Sequence, residues 1–330
     1  MSRKLITIST IMTLMSTSVI ADVPNVAADI APIHSLVSRV MDGVGAPKLI
    51  VQSGASPHGY RLRPSEAKAL QDADHVFWMG EELTPWLDSA IGTLASKASV
   101  TTLLDQQGVI LHDFREGALF EAHDHSAHGD DDHDDHDDHD DHDDHKDHDD
   151  HDDHDDHDDH GSHDPHAWLS PENAKLWLNI IASKLSVSDP ENAATYFMNA
   201  AAGQAEIEVM IAEVKATLKP VQGGKFVVFH DAYQYFENDF DFYASGAISL
   251  GDSSDSSPAR IEKVQKRIRD EGIQCVLAEP QFKKGLVATV MEGSDATASV
   301  IDPLGAELET GPKLYTRLIK NMAKTLRNCL

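Results

Sequence analysis

DPENAATYFMNAAAGQAEIEVMIAEVKATLKP, Asp189–Pro220, is the longest uninterrupted helical pattern in this 330-residue chain. Asp189 is placed to cap a helix, Pro190 suits its first turn, and Pro220 with Gly223 and Gly224 closes it. Ala193, Phe197, Ala200, Ala201, Ile207, Met210, Ile211, Val214 and Leu218 keep helical spacing. Some 30 residues at the rise of an α-helix make a rod of about 45 Å. A rod of that length crosses one domain and joins it to the next.

The pattern is the same on both sides of the rod. Upstream, the strand-like runs NVAAD, PKLIVQ, DHVFWMG and SVTTLL alternate with the helical runs APIHSLVSRVMDG, RPSEAKALQDA and LTPWLDSAIGTLASK. Downstream, KFVVFH, DFYASGAIS, IQCVLAE and ASVID alternate with DAYQYFEND, SPARIEKVQKRIRDEG, KKGLVATVMEG and PKLYTRLIKNMAKTLRN. Strands that alternate with helices form parallel sheets with right-handed crossovers. The expected fold is α/β, with two lobes that each carry a parallel sheet and flanking helices. One long helix joins them. The expected divisions are a signal peptide at 1–21, an N-terminal lobe at 22–187, the linking helix at 188–220 and a C-terminal lobe at 221–330.

Arg3 and Lys4 precede a short apolar, hydroxyl-rich run, and Val19 and Ala21 occupy small-residue cleavage positions. That is the pattern of a cleavable secretory signal, read here in preference to a membrane anchor. The run is broken by Ser and Thr, whereas a spanning helix needs about 20 mostly apolar residues. Two cysteines in an exported chain, Cys275 and Cys329, are read as one disulfide, the alternative being two free thiols. The formal charge of −29 is mostly local, because 22 Asp and one Lys stand between His123 and Asp164. It therefore describes a tract, and not a chain that as a whole avoids nucleic acid or repels membranes; no nucleic-acid partner is expected on other grounds, since no motif for one is read.

That tract, 123–163, sits inside the first lobe. It holds no apolar residue from Asp130 to His163, so nothing offsets the entropy of ordering it, and a disordered surface loop is expected. Histidine recurs at every third position: His133, His136, His139, His142, His145, His148, His151, His154, His157 and His160. These are assigned as auxiliary metal ligands, weaker than a preformed site because each binding event must order the loop. The tract would collect or sense that metal; the alternative is a spacer that keeps the chain soluble.

Ligands of open parallel sheets bind outside the carboxyl ends of the strands. His58 lies in the loop after PKLIVQ, His230 ends KFVVFH, His166 starts the helix after the tract, and Asp302 ends ASVID. Taken singly, each has an ordinary reading: a loop histidine, a sheet-end histidine, the last member of the tract, a turn-forming aspartate. Together they fall where the fold rule places a site. Three imidazoles with a carboxylate or a water suit tetrahedral Zn²⁺. His34, within a helix, and His75, opening a strand, are read as structural or solvated.

GASPHGYRLRPSEAKAL, DPHAWLSP, FVVFHDAYQYF, AEPQF and IDPLG occur in this order and span nearly all of the chain after residue 21. They resemble the successive motifs of the metal-binding solute-binding proteins of ABC transporters, and in particular the periplasmic zinc-binding members. The resemblance implies two α/β lobes bridged by a helix, zinc held between them, and a His/Asp-rich loop between the first two ligands. Its zinc members carry three histidine ligands, which fall on His58, His166 and His230. It also implies a Cys275–Cys329 bridge, delivery to an inner-membrane permease, and a monomer that is not an enzyme. Manganese members place a carboxylate where His230 stands and use an aspartate matching Asp302. Asp302 is thus a fourth ligand, a group behind the ligands, or idle. Some zinc members carry Glu before the first histidine, and here that position is Pro57. The alternatives are a manganese or iron carrier of the same fold, an adhesin-like surface protein, and a zinc hydrolase; the last lacks an HExxH motif.

Overall fold

A computed structural model describes residues 23–115, 119–120, 163–249, 257–281 and 284–330. The expected signal peptide and the ten repeat histidines from His133 to His160 lie outside them. Two four-stranded sheets are present, and every strand pairing within them is parallel. The first contains β1 (Val26–Ala28), β2 (Lys48–Leu49), β3 (His75–Trp78) and β4 (Ser99–Thr102), in the order β2-β1-β3-β4. The second contains β5 (Phe226–His230), β6 (Ala247–Ser249), β7 (Cys275–Ala278) and β8 (Thr297–Val300), in the equivalent order β6-β5-β7-β8. The crossovers of the first are α1 (Ala31–Val40), α2 (Pro64–Gln71) and α3 (Pro85–Leu94). Those of the second are α6 (Gln234–Phe240), α7 (Pro258–Glu271) and α8 (Lys284–Met291). Gly272 ends α7 in the left-handed conformation, φ +66°, where a side chain would be strained.

Between the sheets run α4 (Pro171–Ser188) and α5 (Ala193–Leu218), and α9 (Leu314–Cys329) closes the chain. The long helix is shorter than the pattern in 189–220 implies: 26 residues, a rod of about 39 Å. Asp189 does not cap it. Its backbone N–H ends α4 on Leu185, and its carboxylate accepts from the Asn192 amide at 2.8 Å and the Tyr196 hydroxyl at 2.7 Å. The buried face is Tyr196, Ala200, Gly203, Ile207, Met210, Val214 and Leu218, while Phe197 is 49% exposed. Gly203 lets the helix approach Leu178 and Arg39, since a Cβ there would lie 3.0 Å from the leucine. α5 packs on α4 and α1 beside the first sheet and on α9 beside the second.

Side chains alternate across each strand. Phe226 and Val228 of β5 and Cys275 and Leu277 of β7 enter one large apolar core, which also takes Val26 and Ala28 of β1 and the buried stripe of α5. Val227, Phe229 and Val276 face outward, under α7 and α8. Ala27, Val76 and Trp78 do the same under α2 and α3. The inner faces of both sheets thus share a core with α5. His230 has the parity of Phe226 and Val228, and so continues the inner face at the end of β5.

Asp29, at the end of β1, is fully buried and brackets two strand ends. Its oxygens accept from the Ile30 N–H at 2.7 Å and the Met79 N–H at 2.7 Å. Burial pushes its pKa up from 3.8 to about 7, against the lowering effect of those hydrogen bonds. Cys275, at the start of β7, is bonded to Cys329 at the end of α9. No helix among the described residues is long and apolar enough to cross a membrane.

The bridge closes a loop of 54 residues, so Cys329→Ser should lower unfolding free energy by about 2–4 kcal/mol, read from denaturant midpoints with reductant-treated wild type as the control. Because folding raises the Asp29 pKa, the folded chain holds more protons than the unfolded chain between 3.8 and about 7. The burden of the buried charge therefore grows as pH rises through that window and is constant above it. Asp29→Asn should gain stability relative to wild type from pH 4 to pH 7, with no further gain to pH 8.5.

Candidate metal site

His58 is carried by the loop between β2 and α2, and that loop is fastened on both sides of it. The Trp86 indole of α3 donates to the Pro57 carbonyl at 2.7 Å. The Tyr60 hydroxyl donates to the Glu66 carboxylate of α2 at 2.7 Å, and Glu66 also accepts from the Arg63 N–H at 2.7 Å. The ring is therefore presented by a braced turn and is only half-buried.

His166 lies in the turn before a short 3-10 segment, Ala167–Leu169. Asp164 Oδ1 accepts from its backbone N–H at 2.9 Å and from its ring Nδ1 at 2.6 Å. The Trp168 indole, next along, donates to the Pro303 carbonyl at 2.9 Å and so ties this turn to the loop after β8. His230 ends β5. Its Nδ1 lies 2.5 Å from Oε1 of Glu279, which is 3% exposed and follows β7. The pairing of β5 with β7 explains this contact: Phe226 faces Cys275 and Val228 faces Leu277, and the same offset carried two residues on puts Glu279 opposite His230. The Gln281 amide steadies the other oxygen of Glu279 at 2.8 Å.

An ionised carboxylate only accepts, so each of these two rings donates from Nδ1 and keeps its lone pair on Nε2. The two Nε2 atoms face each other at 3.4 Å. One ligand atom each from His58, His166 and His230 lies within 4.8 Å of the others. For a tetrahedral ion with bonds of about 2.0–2.1 Å, neighbouring nitrogens stand about 3.3 Å apart. The pair is already at that spacing, and His58 has a short way to close. His166 and His230 are buried.

Asp302 stands outside this group. Its oxygens accept from the backbone N–H groups of Leu304 at 3.0 Å, Gly305 at 2.8 Å and Ala306 at 2.5 Å, so its charge is spent on its own turn. His34 and His75 have structural contacts: His34 Nε2 lies 3.1 Å from the Pro47 carbonyl, and His75 Nε2 lies 2.7 Å from the Ser188 hydroxyl. Burial lowers the pKa of both, which keeps them neutral. His163, the last histidine of the tract, pairs with Asp113 at 2.9 Å.

Sequence reasoning passed over three residues around the rings. Asp164 and Glu279 lie inside the quoted motifs DPHAWLSP and AEPQF, where attention to the histidines hid them. Glu279 also satisfies the strand-end rule that singled out His230. The third is Arg115, which pairs with Asp231 and Glu237 beside His230. Burial raises the pKa of both acids, with Arg115 opposing it. Burial alone would lower that of Arg115, but the two carboxylates outweigh it and keep the guanidinium charged. Behind two of the three imidazoles the protein places the buried carboxylates of Asp164 and Glu279, which favour a bound cation.

A high-affinity zinc uptake system protein ZnuA from Brucella abortus is 48% identical over 305 residues, covering 92% of this chain and 91% of that protein. Its counterpart from Paracoccus denitrificans is 45% identical over 311 residues, covering 94% and 93%. A crystal structure of ZnuA superposes with a TM-score of 0.70 at 20% identity, over 93% of this chain and 99% of that one, a likeness of fold. The family model for the periplasmic zinc-uptake complex component A matches residues 26–329. With that match over nearly the whole chain, this protein belongs to the family of periplasmic zinc-uptake complex component A.

Proposed function

We propose that the chain captures Zn²⁺ in the periplasm on His58, His166 and His230 and hands it to the inner-membrane permease of an ABC importer. The observation that carries this reading is the convergence of three imidazoles, two with carboxylate-held Nδ1 and facing Nε2 atoms. Such a set is suited to zinc more than to manganese, whose preferred ligands include more oxygen. The fourth position is left to water, because Asp302 is occupied with its own loop. In this reading the half at 22–187 supplies His58 and His166, and the half at 221–330 supplies His230. Release then requires a small relative shift of those halves. α5 packs against both and favours small shifts over a wide hinge.

The likeness to zinc-uptake proteins supports a transport role in the periplasm, and a cleavable leader at 1–21 fits that address. The permease contact and the monomeric state belong to the same proposal. So does the role of the repeat histidines as a weaker collector.

Calorimetric titration of the chain lacking residues 1–21 should give one tight zinc site. His58→Ala, His166→Ala or His230→Ala should abolish it, and removing residues 130–160 should keep it while lowering the number of weakly held ions. An isotherm unchanged in His230→Ala would sink the assignment. Glu279→Gln keeps the shape but removes the charge behind His230, and affinity should fall about 10–100-fold, read by competition with a chelator of known strength.

A further inference from the structure

By chain order, residues 112–115, 119 and 120 follow β4 and the first sheet, yet many of their contacts lie with the second. The His112 N–H donates to the Tyr235 hydroxyl at 3.1 Å, and its ring lies 4.7 Å from that of Tyr235. The Asn238 amide stands 3.1 Å from His112 Nε2. Leu119 packs on the outer apolar cluster of the second sheet, and its carbonyl accepts from Arg267 of α7 at 2.9 Å. Arg115 is the centre of this strap. Its guanidinium lies 3.6 Å from the centre of the Phe120 ring. Its Nε donates to both oxygens of Asp231, at 3.1 and 3.0 Å, and Nη2 donates to Asp231 Oδ1 as well. Nη1 and Nη2 donate to the two oxygens of Glu237 at 2.6 and 3.2 Å.

Two of the three histidines are reached from this one stretch. Asp231 directly follows His230, so the fork on its carboxylate fixes the end of β5. On the other side, the Asp164 N–H donates to the His112 carbonyl at 2.7 Å, and the Tyr235 hydroxyl donates to the Asp164 carbonyl at 2.7 Å. Asp164 in turn orients His166. We propose that Arg115 is a positioning residue that sets the separation of the His166 and His230 imidazoles by pinning residues 112–115 across the second sheet. This rests on the zinc reading of those histidines. A planar fork spans two carboxylates, and the single ammonium of a lysine does not. Without it, two buried acids repel each other next to His230.

The test compares Arg115→Ala, Arg115→Lys and Glu237→Gln with wild type for Zn²⁺ affinity, thermal midpoint and the visible ligand-field spectrum of bound Co²⁺. The expected result is an affinity loss of about 10–100-fold in Arg115→Ala, the range for groups that orient metal ligands. Arg115→Lys should lose less, and the Co²⁺ bands should shift in both. Arg115→Lys retains the charge and serves if the alanine variant does not fold. Folded variants with a lower midpoint but wild-type affinity and Co²⁺ bands would overturn the proposal and leave Arg115 a purely structural ion pair. Wild type that binds no zinc would overturn the site assignment and the pin together, whereas wild-type binding with unaltered variants overturns the pin alone.

Discussion

An imidazole offers a cation only the nitrogen that does not carry its proton, so the fate of that proton decides whether a cluster of histidines is a site. Here the protons of His166 and His230 are directed to Asp164 and Glu279. Both carboxylates are buried, at 1% and 3% exposure, so water competes little for them. The rings are thereby turned with their Nε2 atoms toward a common point before any ion arrives. With either acid absent, a ring would be free to present either nitrogen, and the convergence would be lost without any change in the sequence positions of the histidines.

The fold meets this constraint through two repeats of one topology. Each sheet runs in the order 2-1-3-4, and each turns one face toward a shared core and the other toward its crossover helices. His230 has inner-face parity on β5, and Glu279 has inner-face parity just beyond β7. Their pairing follows from parallel register and needs no special loop. His58 and His166 come from turns, which are softer, and both turns are accordingly braced by tryptophans: Trp86 on Pro57 and Trp168 on Pro303. The second brace crosses from the segment before α4 to the loop after β8, so the position of His166 is tied to the second sheet as well as the first.

A buried guanidinium between two buried acids is a poor source of stability, because desolvation offsets much of the attraction. Arg115 and its neighbours tie the chain leaving β4 to the start of α6, next to the ring that ends β5. α5 is packed against helices beside both sheets. The same chain segment whose sequence continues into the Asp/His tract therefore touches the residues next to His166 and His230.

Much of this was legible from the chain alone. Strand and helix order, parallel sheets, the long helix and the placing of His58 and His230 at strand-end loops all follow from local patterns: apolar period, prolines at first turns, glycines at ends. Those patterns act over a few residues and survive in any context. Which partner each side chain meets was decided only in three dimensions. Glu279 is 49 residues from His230 and Arg115 is 116 from Asp231, and register and packing select them from many equivalent acids and bases. The same holds for the buried face of α5, where Tyr196 is buried with its hydroxyl on Asp189 while Phe197 is exposed. It holds too for Asp302, whose oxygens accept from three backbone N–H groups of its own turn. Periodicity is a property of the chain, whereas the disposal of a buried charge or proton depends on every group brought within a few ångströms of it.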